Sequence, residues 1–390
     1  MTYTQLPLPE PGSTVIVGMS GGVDSTLTAL LLKERGCRVI GATMSLWDGH
    51  IEAVEAEKAF HEACYGPDEG ENIEECQKFC SEHNIEYHVI DVSSDYNREV
   101  LDYFTSEYRA GKTPNPCIRC NRFIKFGALL AGIKKLNIDF DYFCTGHYAS
   151  IVRPDEGIWG TDKKPCMISS ATDKSKDQTY FLCKIPSEIL EKVRFPLSNI
   201  TKAEVFDLAR KANLEAANRK ESQDFIDIKY IDALFGDKPS VPGNFVNTEG
   251  KVIGRHNGIE HYTIGQRRGL GVSGPVPYYV KKIDAEKNEI VLAEKSELNS
   301  LSLIADDFVW PGEVEPPEAF EASAKIRLRS KTAFGKVERY VPAEDDKTEY
   351  KGQAWRVTFD EEQYAITPGQ SLVLYKDNVI IGSGTIVRSI

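Results

Sequence analysis

The passage from Thr14 to Thr26 constrains this chain more than any other. It reads Thr-Val-Ile-Val-Gly-Met, then Ser20-Gly21-Gly22-Val23-Asp24-Ser25-Thr26, and an apolar helical pattern begins at Leu27. An apolar run that stops at Ser-Gly-Gly and resumes at helical spacing predicts a buried strand handing its backbone to a helix N-terminus. Such a turn is an anion site: the glycines let the backbone approach a phosphate, the first-turn N–H groups have no helical partner, and the helix dipole favours negative charge. No Gly-Lys-Ser/Thr follows, which excludes the common mononucleotide P-loop. A bare Gly-Gly would be as compatible with a plain strand-turn-helix corner, with Asp24 as a dipole partner in the first turn. The whole Ser-Gly-Gly-Val-Asp-Ser string, placed after a first strand, favours the phosphate site.

From Thr14 to about Ser150 strand and helix signals alternate. Strands are expected at 14–17, 38–44, 86–91 and 142–145, and helices near 25–35, 73–83 and 122–136. Alternation of this kind predicts an α/β fold with a mostly parallel sheet, whose ligands lie beyond the carboxyl ends of the strands. Thr201 and Glu204 form a capping box that opens a helix to about Ala212. After Tyr278 short alternating runs (278–284, 289–293, 303–309, 322–328, 354–359 and 371–376), separated by Gly, Pro, Asp and Asn, predict an antiparallel barrel. At 390 residues, two or three domains are expected. The pattern divides the chain into 1–205, a nucleotide-binding α/β domain, 206–278, a small central domain, and 279–390, the C-terminal β-barrel.

No stretch of about 20 apolar residues occurs and Met1 to Pro11 has no signal pattern, so a cytoplasmic protein with no membrane partner is expected. The net charge of −12 argues at first against a polyanionic partner, but nucleic acid reads local patches. The runs Arg119 to Lys125, Arg267-Arg268 and Lys325-Ile-Arg327-Leu-Arg329 are read as phosphate contacts or as solvated faces. Nine cysteines in a reducing compartment point to metal or thiol chemistry for the clustered ones rather than to disulfides. Cys37, Cys166 and Cys183 stand singly and read as structural.

Two further stretches carry chemistry. The first is Gly111-Lys112-Thr113-Pro114-Asn115-Pro116-Cys117-Ile118-Arg119-Cys120-Asn121-Arg122, continuing to Phe126. Two prolines stiffen the approach, and a helix carrying Arg122 and Lys125 is expected to begin at Cys120 or Asn121. A cysteine at such a helix start, beside cations, has a stabilised thiolate and acts as nucleophile or metal ligand; half of a zinc knuckle or a buried pair is the alternative. The second is Cys144-Thr145-Gly146-His147-Tyr148-Ala149 at a strand end, where Gly146 lets a nucleotide approach and His147 faces an incoming substrate or is structural.

The loop resembles the pyrophosphate loop of the ATP pyrophosphatases, in which Asp24 would help to hold Mg2+ on the phosphates of ATP. The order of motifs makes the resemblance closer. Gly18 to Ser25, Met44-Ser-Leu-Trp47, Thr113-Pro-Asn-Pro-Cys-x-x-Cys-Asn121, Thr145-Gly-His-Tyr148, Lys176-Asp177-Gln178, Thr263-Ile-Gly-Gln-Arg-Arg-Gly-Leu270 and Pro368-Gly-Gln370 follow one another as in the bacterial tRNA-specific 2-thiouridylases. The resemblance spans nearly the whole chain. It implies ATP-dependent transfer of sulfur to C2 of the wobble uridine of tRNA, through adenylation of the uracil O2. It also implies ATP at Gly18, Met19, Ser20, Gly21, Gly22, Val23, Asp24, Ser25, Met44 and Gly146; the target base at Asn115, Pro116 and Cys117; tRNA contacts at His147, Lys176, Asp177, Gln178, Arg327, Leu328 and Gln370; and Cys120 as nucleophile. A rigid Pro-Asn-Pro wall beside a thiol suits a base splayed from an RNA loop.

The chain departs from that family in its cysteines. Most members carry a second, persulfide-bearing cysteine, and the corresponding segment here is Glu221-Ser222-Gln223-Asp224-Phe225-Ile226-Asp227, with Ile226 near the cysteine position. Two replacements are open. Cys117, where the family commonly has aspartate, can carry or resolve a persulfide with Cys120. Alternatively, Cys117, Cys120 and Cys64, in Ala63-Cys64-Tyr65-Gly66-Pro67, hold an iron–sulfur cluster whose open iron carries the sulfur, as in related thiouridine-forming enzymes; Cys76 and Cys80 read as packing residues. The sulfur comes from a donor protein or from sulfide. Two other functions compete with this one. An amide-forming synthetase of the same loop family would not need Cys117 and Cys120, and a non-enzymatic RNA-binding protein would leave the Ser20 to Ser25 loop without a role.

Overall fold

The computed structural model of the protein describes residues 1–49, 63–218, 224–226, 233–236 and 238–390. Of the segment 221–227, only Asp224, Phe225 and Ile226 are among them.

The α/β unit is built on a five-stranded sheet in the order Glu86–Asp91, Arg38–Ser45, Thr14–Gly18, Tyr142–Cys144, Val193–Arg194, with every pair parallel. Val15, Ile16 and Val17 of the central strand are completely buried, which is why that strand reads as a continuous apolar run. Each such side chain contributes about 1.5–3 kcal/mol through burial. The helices Val23–Glu34 and Glu69–Glu82 cover the sheet, with Cys76 and Cys80 buried as packing residues. Because the strands are parallel, Gly18, Ser45 and Cys144 end at one edge, and the Ser20 to Ser25 and Thr145 to Ala149 stretches follow directly from two of these ends.

A second, nine-stranded antiparallel sheet runs Tyr3–Gln5, Ala149–Pro154, Met167–Ser170, Val379–Ser389, Asn299–Val309, Trp355–Tyr364, Ala333–Arg339, Ala319–Lys325, Ser371–Lys376. Its last strand pairs back with Val379–Ser389, so the six C-terminal strands close into a barrel around Leu303, Val337, Val357 and Leu372. The hairpin Ala149–Pro154 and Met167–Ser170 leaves the α/β unit and adds to the barrel's sheet through Ser169 opposite Val379. Further ties reinforce this join: Ser383 Oγ donates to the Cys183 carbonyl at 2.8 Å, and Lys184 Nζ pairs with Asp307 at 2.8 Å.

The strands Tyr279–Asp284 and Glu289–Ala293 correct one expectation. They do not open the barrel at residue 279; the second pairs in parallel with Gly243–Val246, and both belong to a four-stranded central sheet with Val252–His256. The change of sheet therefore falls between Ala293 and Asn299. Alternation in the sequence identifies a strand but not its partner, so it could not distinguish the two sheets. Among the described residues no helix is long and apolar enough to cross a membrane.

Candidate functional site

The Ser20 to Ser25 loop has the conformation its residues predict. Met19 N–H donates to the Ala42 carbonyl at 2.8 Å, which fixes the strand end, and Gly21 takes φ +75°, a conformation a side chain would strain. Gly22 is the N-cap of the helix and supplies no side-chain cap to its first turn. Ser25 Oγ accepts from Ser20 N–H at 3.2 Å and donates to the Gly22 carbonyl at 3.0 Å, closing the loop on itself. First-turn N–H groups without a side-chain cap, behind a glycine turn, suit a phosphate group.

Asp24 stands at the mouth of this loop. Its carboxylate accepts from Tyr148 Oη at 2.8 Å and from Lys202 Nζ at 2.7 and 2.8 Å. Lys202 was not foreseen. It is the first residue of the helix Lys202–Lys211, whose capping box of Thr201 and Glu204 aims it, and its ammonium lies 4.9 Å from the Phe206 ring centroid. Its side chain is only 10% exposed against 28% for Asp24, so the cation is held beside the loop rather than in solvent. A carboxylate and a lysine side by side at a phosphate cradle fit Mg2+ and the triphosphate of ATP respectively.

The other strand ends converge on the same edge. Met44 is half-buried, and the backbone that follows is tied down by Glu69, whose carboxylate accepts from Leu46 N–H at 2.8 Å, Trp47 N–H at 3.0 Å and Ser45 Oγ at 2.7 Å. Gly146 lies directly against the pyrophosphate loop, for a Cβ there would stand 2.7 Å from the Asp24 carbonyl carbon. His147 sits between Phe126 and Phe195, at 6.1 and 5.8 Å between ring centroids, with Nδ1 2.7 Å from Thr145 Oγ1. Burial, aided by the charge of Lys125, holds its pKa well below the ordinary histidine value, so the ring is neutral.

The cysteine segment departs from expectation in a useful way. The helix begins at Pro116, not at Cys120 or Asn121, because Asn115 is its N-cap, accepting from Ile118 N–H at 3.1 Å, and Pro116 fits the first helical position. It runs on to Lys135 with π-helical turns over Cys120–Ala128, a distortion common at functional sites. Cys117 therefore lies in the first turn and Cys120 three residues on, along one side of the helix. Cys120 is not at the helix start, and burial pushes its thiol up to about 11, outweighing Lys125. The expected stabilised thiolate is thus absent from this conformation.

Cys64 lies on the short strand Ala63–Tyr65, next to Tyr65, which stacks on Tyr96 at 5.1 Å. The Tyr96 hydroxyl is raised well above its ordinary pKa by burial and then by the charges of Cys120, Cys64 and Cys117. The three cysteines proposed as cluster ligands thus all act on the charge of one buried tyrosine. Among the described residues, however, no three His, Cys, Asp or Glu side chains stand in metal-binding geometry, so these thiols as placed do not fit an iron–sulfur cluster. They lie at different depths, Cys64 exposed and the other two half-buried.

The residues matched to tRNA contacts fall into two groups. Asp177 accepts from Thr179 N–H at 3.1 Å, Gln178 Oε1 accepts from Tyr148 N–H at 2.8 Å, and Gln370 Nε2 donates to the Thr113 and Pro114 carbonyls at 2.9 and 3.3 Å. These side chains hold the Pro-Asn-Pro segment and the loop after Tyr148 in place. Arg327 donates to the Tyr364 carbonyl, Leu328 packs on the main core and Lys176 is half-buried. Tyr180, donating to the Ser371 carbonyl at 3.0 Å next to Gln370, carried no sequence signal. Of the basic runs, Arg119 is held by Glu99 at 2.9 Å, whereas Arg267 and Arg268 are exposed. A cleft of about 360 Å3 beside Asn115, lined by Tyr103, Lys112, Arg119, Arg122 and Lys184, opens between this helix and the barrel.

Comparison with known proteins gives a consistent picture. Residues 13–230 match the family described as tRNA methyl transferase HUP domain, 230–294 its PRC-barrel domain, and 300–386 an aminomethyltransferase beta-barrel domain. The chain is 41% identical over 382 residues to the tRNA-specific 2-thiouridylase MnmA of Endomicrobium trichonymphae, covering 97% of this chain and 100% of that one. It is 42% identical to the protein of the same name from Carboxydothermus hydrogenoformans, covering 96% of this chain and 97% of the relative.

Proposed function

The chain belongs to the tRNA-specific 2-thiouridylase family, and from that premise we propose that it transfers sulfur to C2 of the wobble uridine of tRNA at the expense of ATP. The observation that carries this reading is the uncapped pyrophosphate loop with Asp24 and Lys202 beside it, linked through Tyr148 and its neighbour His147 to Phe126 of the cysteine-bearing helix. Methyl transfer, the activity in the domain descriptions, would leave both features without a role.

The chemistry follows from what each group can do. A carbonyl oxygen is a poor leaving group, so the uracil O2 is first bonded to the α-phosphorus of ATP, and pyrophosphate departs. The loop N–H groups of Gly21 to Ser25 receive the pyrophosphate charge, and Lys202 adds a cation as that charge develops. Mg2+, which Asp24 is suited to hold, would neutralise phosphate charge. Asn115 and Pro116 form a stiff wall for the base, braced from behind by Gln370. His147, kept neutral, accepts or donates a hydrogen bond there without competing for the phosphates.

The sulfur step is derived through thiols. The terminal sulfur of a persulfide on Cys120 attacks C2, the C2–O bond breaks and AMP leaves. The Cys117 thiolate then attacks Cys120 Sγ, which forms a Cys117–Cys120 disulfide and releases the 2-thiouridine; an external dithiol reduces the disulfide. Three-residue spacing at a helix start suits such a pair. Iron and acid-labile sulfide in anaerobically purified, active protein would overturn this thiol route in favour of a cluster on Cys64, Cys117 and Cys120. The adenylation reading is tested by tRNA-dependent release of pyrophosphate from ATP, and the absence of that release would refute it.

A further inference from the structure

We propose that the cleft between the cysteine-bearing helix and the barrel receives the nucleotide next to the target uridine, with Arg122 binding its phosphate. The inference rests on the reading above for where the target base lies. It assigns a task to a side chain that this reading leaves idle.

The cleft holds about 360 Å3, within the roughly 300–1,000 Å3 range of small-molecule sites, so it has room for a nucleotide but not for a duplex. Asn115, Ile118, Arg119 and Arg122 line one wall. Spacings of three and four residues place them along one face of the helix that Asn115 caps. Cys117 and Cys120 do not line the cleft, so the helix stands between it and the thiols, and Asn115 is where the cleft meets the base wall. From Asn115 to Arg122 the helix rises by roughly 10 Å. An RNA strand whose target base lies against Asn115 and Pro116 therefore has its neighbouring nucleotide within reach of Arg122.

Charge singles out Arg122. Lys112 lies 3.5 Å from Glu107, Arg119 2.9 Å from Glu99, and Lys184, which is buried in the opposite wall, 2.8 Å from Asp307. The two remaining acids offer little opposition to an anion: Asp306 accepts from Lys351 N–H at 2.6 Å, and Glu349 is exposed. Arg122 is half-buried, its guanidinium carbon 5.0 Å from the Phe123 ring centroid, and among the described residues no acid or carbonyl is paired with its side chain. A cation that has given up part of its water without gaining a counter-ion is satisfied by an incoming anion through charge-assisted hydrogen bonds. Arg119 is already committed, clamped between the Tyr103 and Phe123 rings at 4.7 and 4.3 Å. Beside Arg122, Ile118, Phe123 and Val387 give the cleft an apolar lining for the base and ribose, the surface that a nucleotide splayed from an RNA loop requires.

The test is a binding cycle on the full chain. Full-length tRNA is assembled by ligation with one neutral methylphosphonate linkage, placed at the phosphate on either side of the wobble uridine. In the wild-type protein one of the two replacements is expected to weaken binding about tenfold. Arg122→Gln should bind unmodified tRNA about tenfold more weakly, with the same replacement having no further effect, and the slope of log Kd against log salt should fall by about 0.7. Arg122→Lys, which keeps the charge, should regain sensitivity to that replacement. A merely structural role for Arg122 would weaken modified and unmodified tRNA alike and leave the methylphosphonate effect in place, which would overturn the inference. Wild-type affinity of Arg122→Gln for tRNA would also overturn it, as would a loss of affinity for ATP alone, which would assign the cleft to a free nucleotide. The cycle needs neither ATP nor sulfur, so it stands or falls separately from pyrophosphate release.

Discussion

Replacing Gly146 by Ala tests whether the strand-end backbone must lie flush against the pyrophosphate loop. The added Cβ would stand 2.7 Å from the Asp24 carbonyl carbon, 2.8 Å from its Cβ and 2.9 Å from its carbonyl oxygen. Carbon atoms in ordinary contact are about 3.5–4.0 Å apart, so loop and strand end must separate by roughly 0.8 Å. No rotamer change relieves the clash, because the opposing atoms include backbone of the first turn of the helix Val23–Glu34. Overpacking of this kind costs about 1–3 kcal/mol in stability, and a displacement near 1 Å at a reacting centre costs about 100-fold in rate. Pyrophosphate release in the presence of tRNA should therefore fall by about 10–100-fold, with a weaker ATP affinity by calorimetry. Gly70→Ala is the control, since a Cβ there meets nothing within 4 Å. A Gly146→Ala enzyme within about twofold of wild type in both measurements would refute the placement of ATP against Gly146.

Three further outcomes follow from the same geometry. Lys202→Met leaves Asp24 without its cation; breaking a buried pair costs about 3–5 kcal/mol, and with Asp24 28% exposed about 1–3 kcal/mol is expected, seen as a lower urea midpoint and slower pyrophosphate release. Cys120, with its thiol raised to about 11, should resist iodoacetamide at pH 7.5 while exposed Cys64 reacts, and its alkylation rate should climb steadily toward pH 10; fast alkylation of Cys120 at pH 7.5 would contradict its burial. His147 is held neutral, so the unfolded chain binds the extra proton once the pH drops below its ordinary value of 6.5. Stability should be independent of this group above that value and fall below it by up to about 1.4 kcal/mol per pH unit, a slope that His147→Gln should remove.

Much of the site was legible because its chemistry is local. The Ser20 to Ser25 loop, the capping box at Thr201 and the strand ends near Met44 and Cys144 each rest on short-range rules of turns, caps and periodicity, and the structure has the loop and the box at the expected residues and both strand ends within one residue of them. Contacts between distant segments left no such trace. Lys202 reaches Asp24 across 178 positions, Gln370 reaches Thr113 across 257, and the hairpin Ala149–Pro154 and Met167–Ser170 joins a sheet whose other strands, Tyr3–Gln5 apart, lie at the far end of the chain. The helix start at Pro116 was readable in principle, since Asn at the cap and Pro at the first position are strong signals, but the prolines read first as stiffeners of an extended approach. The cysteines show the same limit: the sequence says how far apart 64, 117 and 120 lie along the chain, whereas burial decides which thiol is reachable and holds Cys120 protonated.

The central claim is most directly tested by nucleoside mass spectrometry of tRNA incubated with the purified protein, ATP, Mg2+ and a sulfur source. The account predicts 2-thiouridine at the wobble position, dependent on ATP and abolished in Asp24→Asn and, with a persulfide donor, in Cys120→Ser. Unmodified uridine in the complete reaction, or 2-thiouridine formed equally well without ATP, would contradict it.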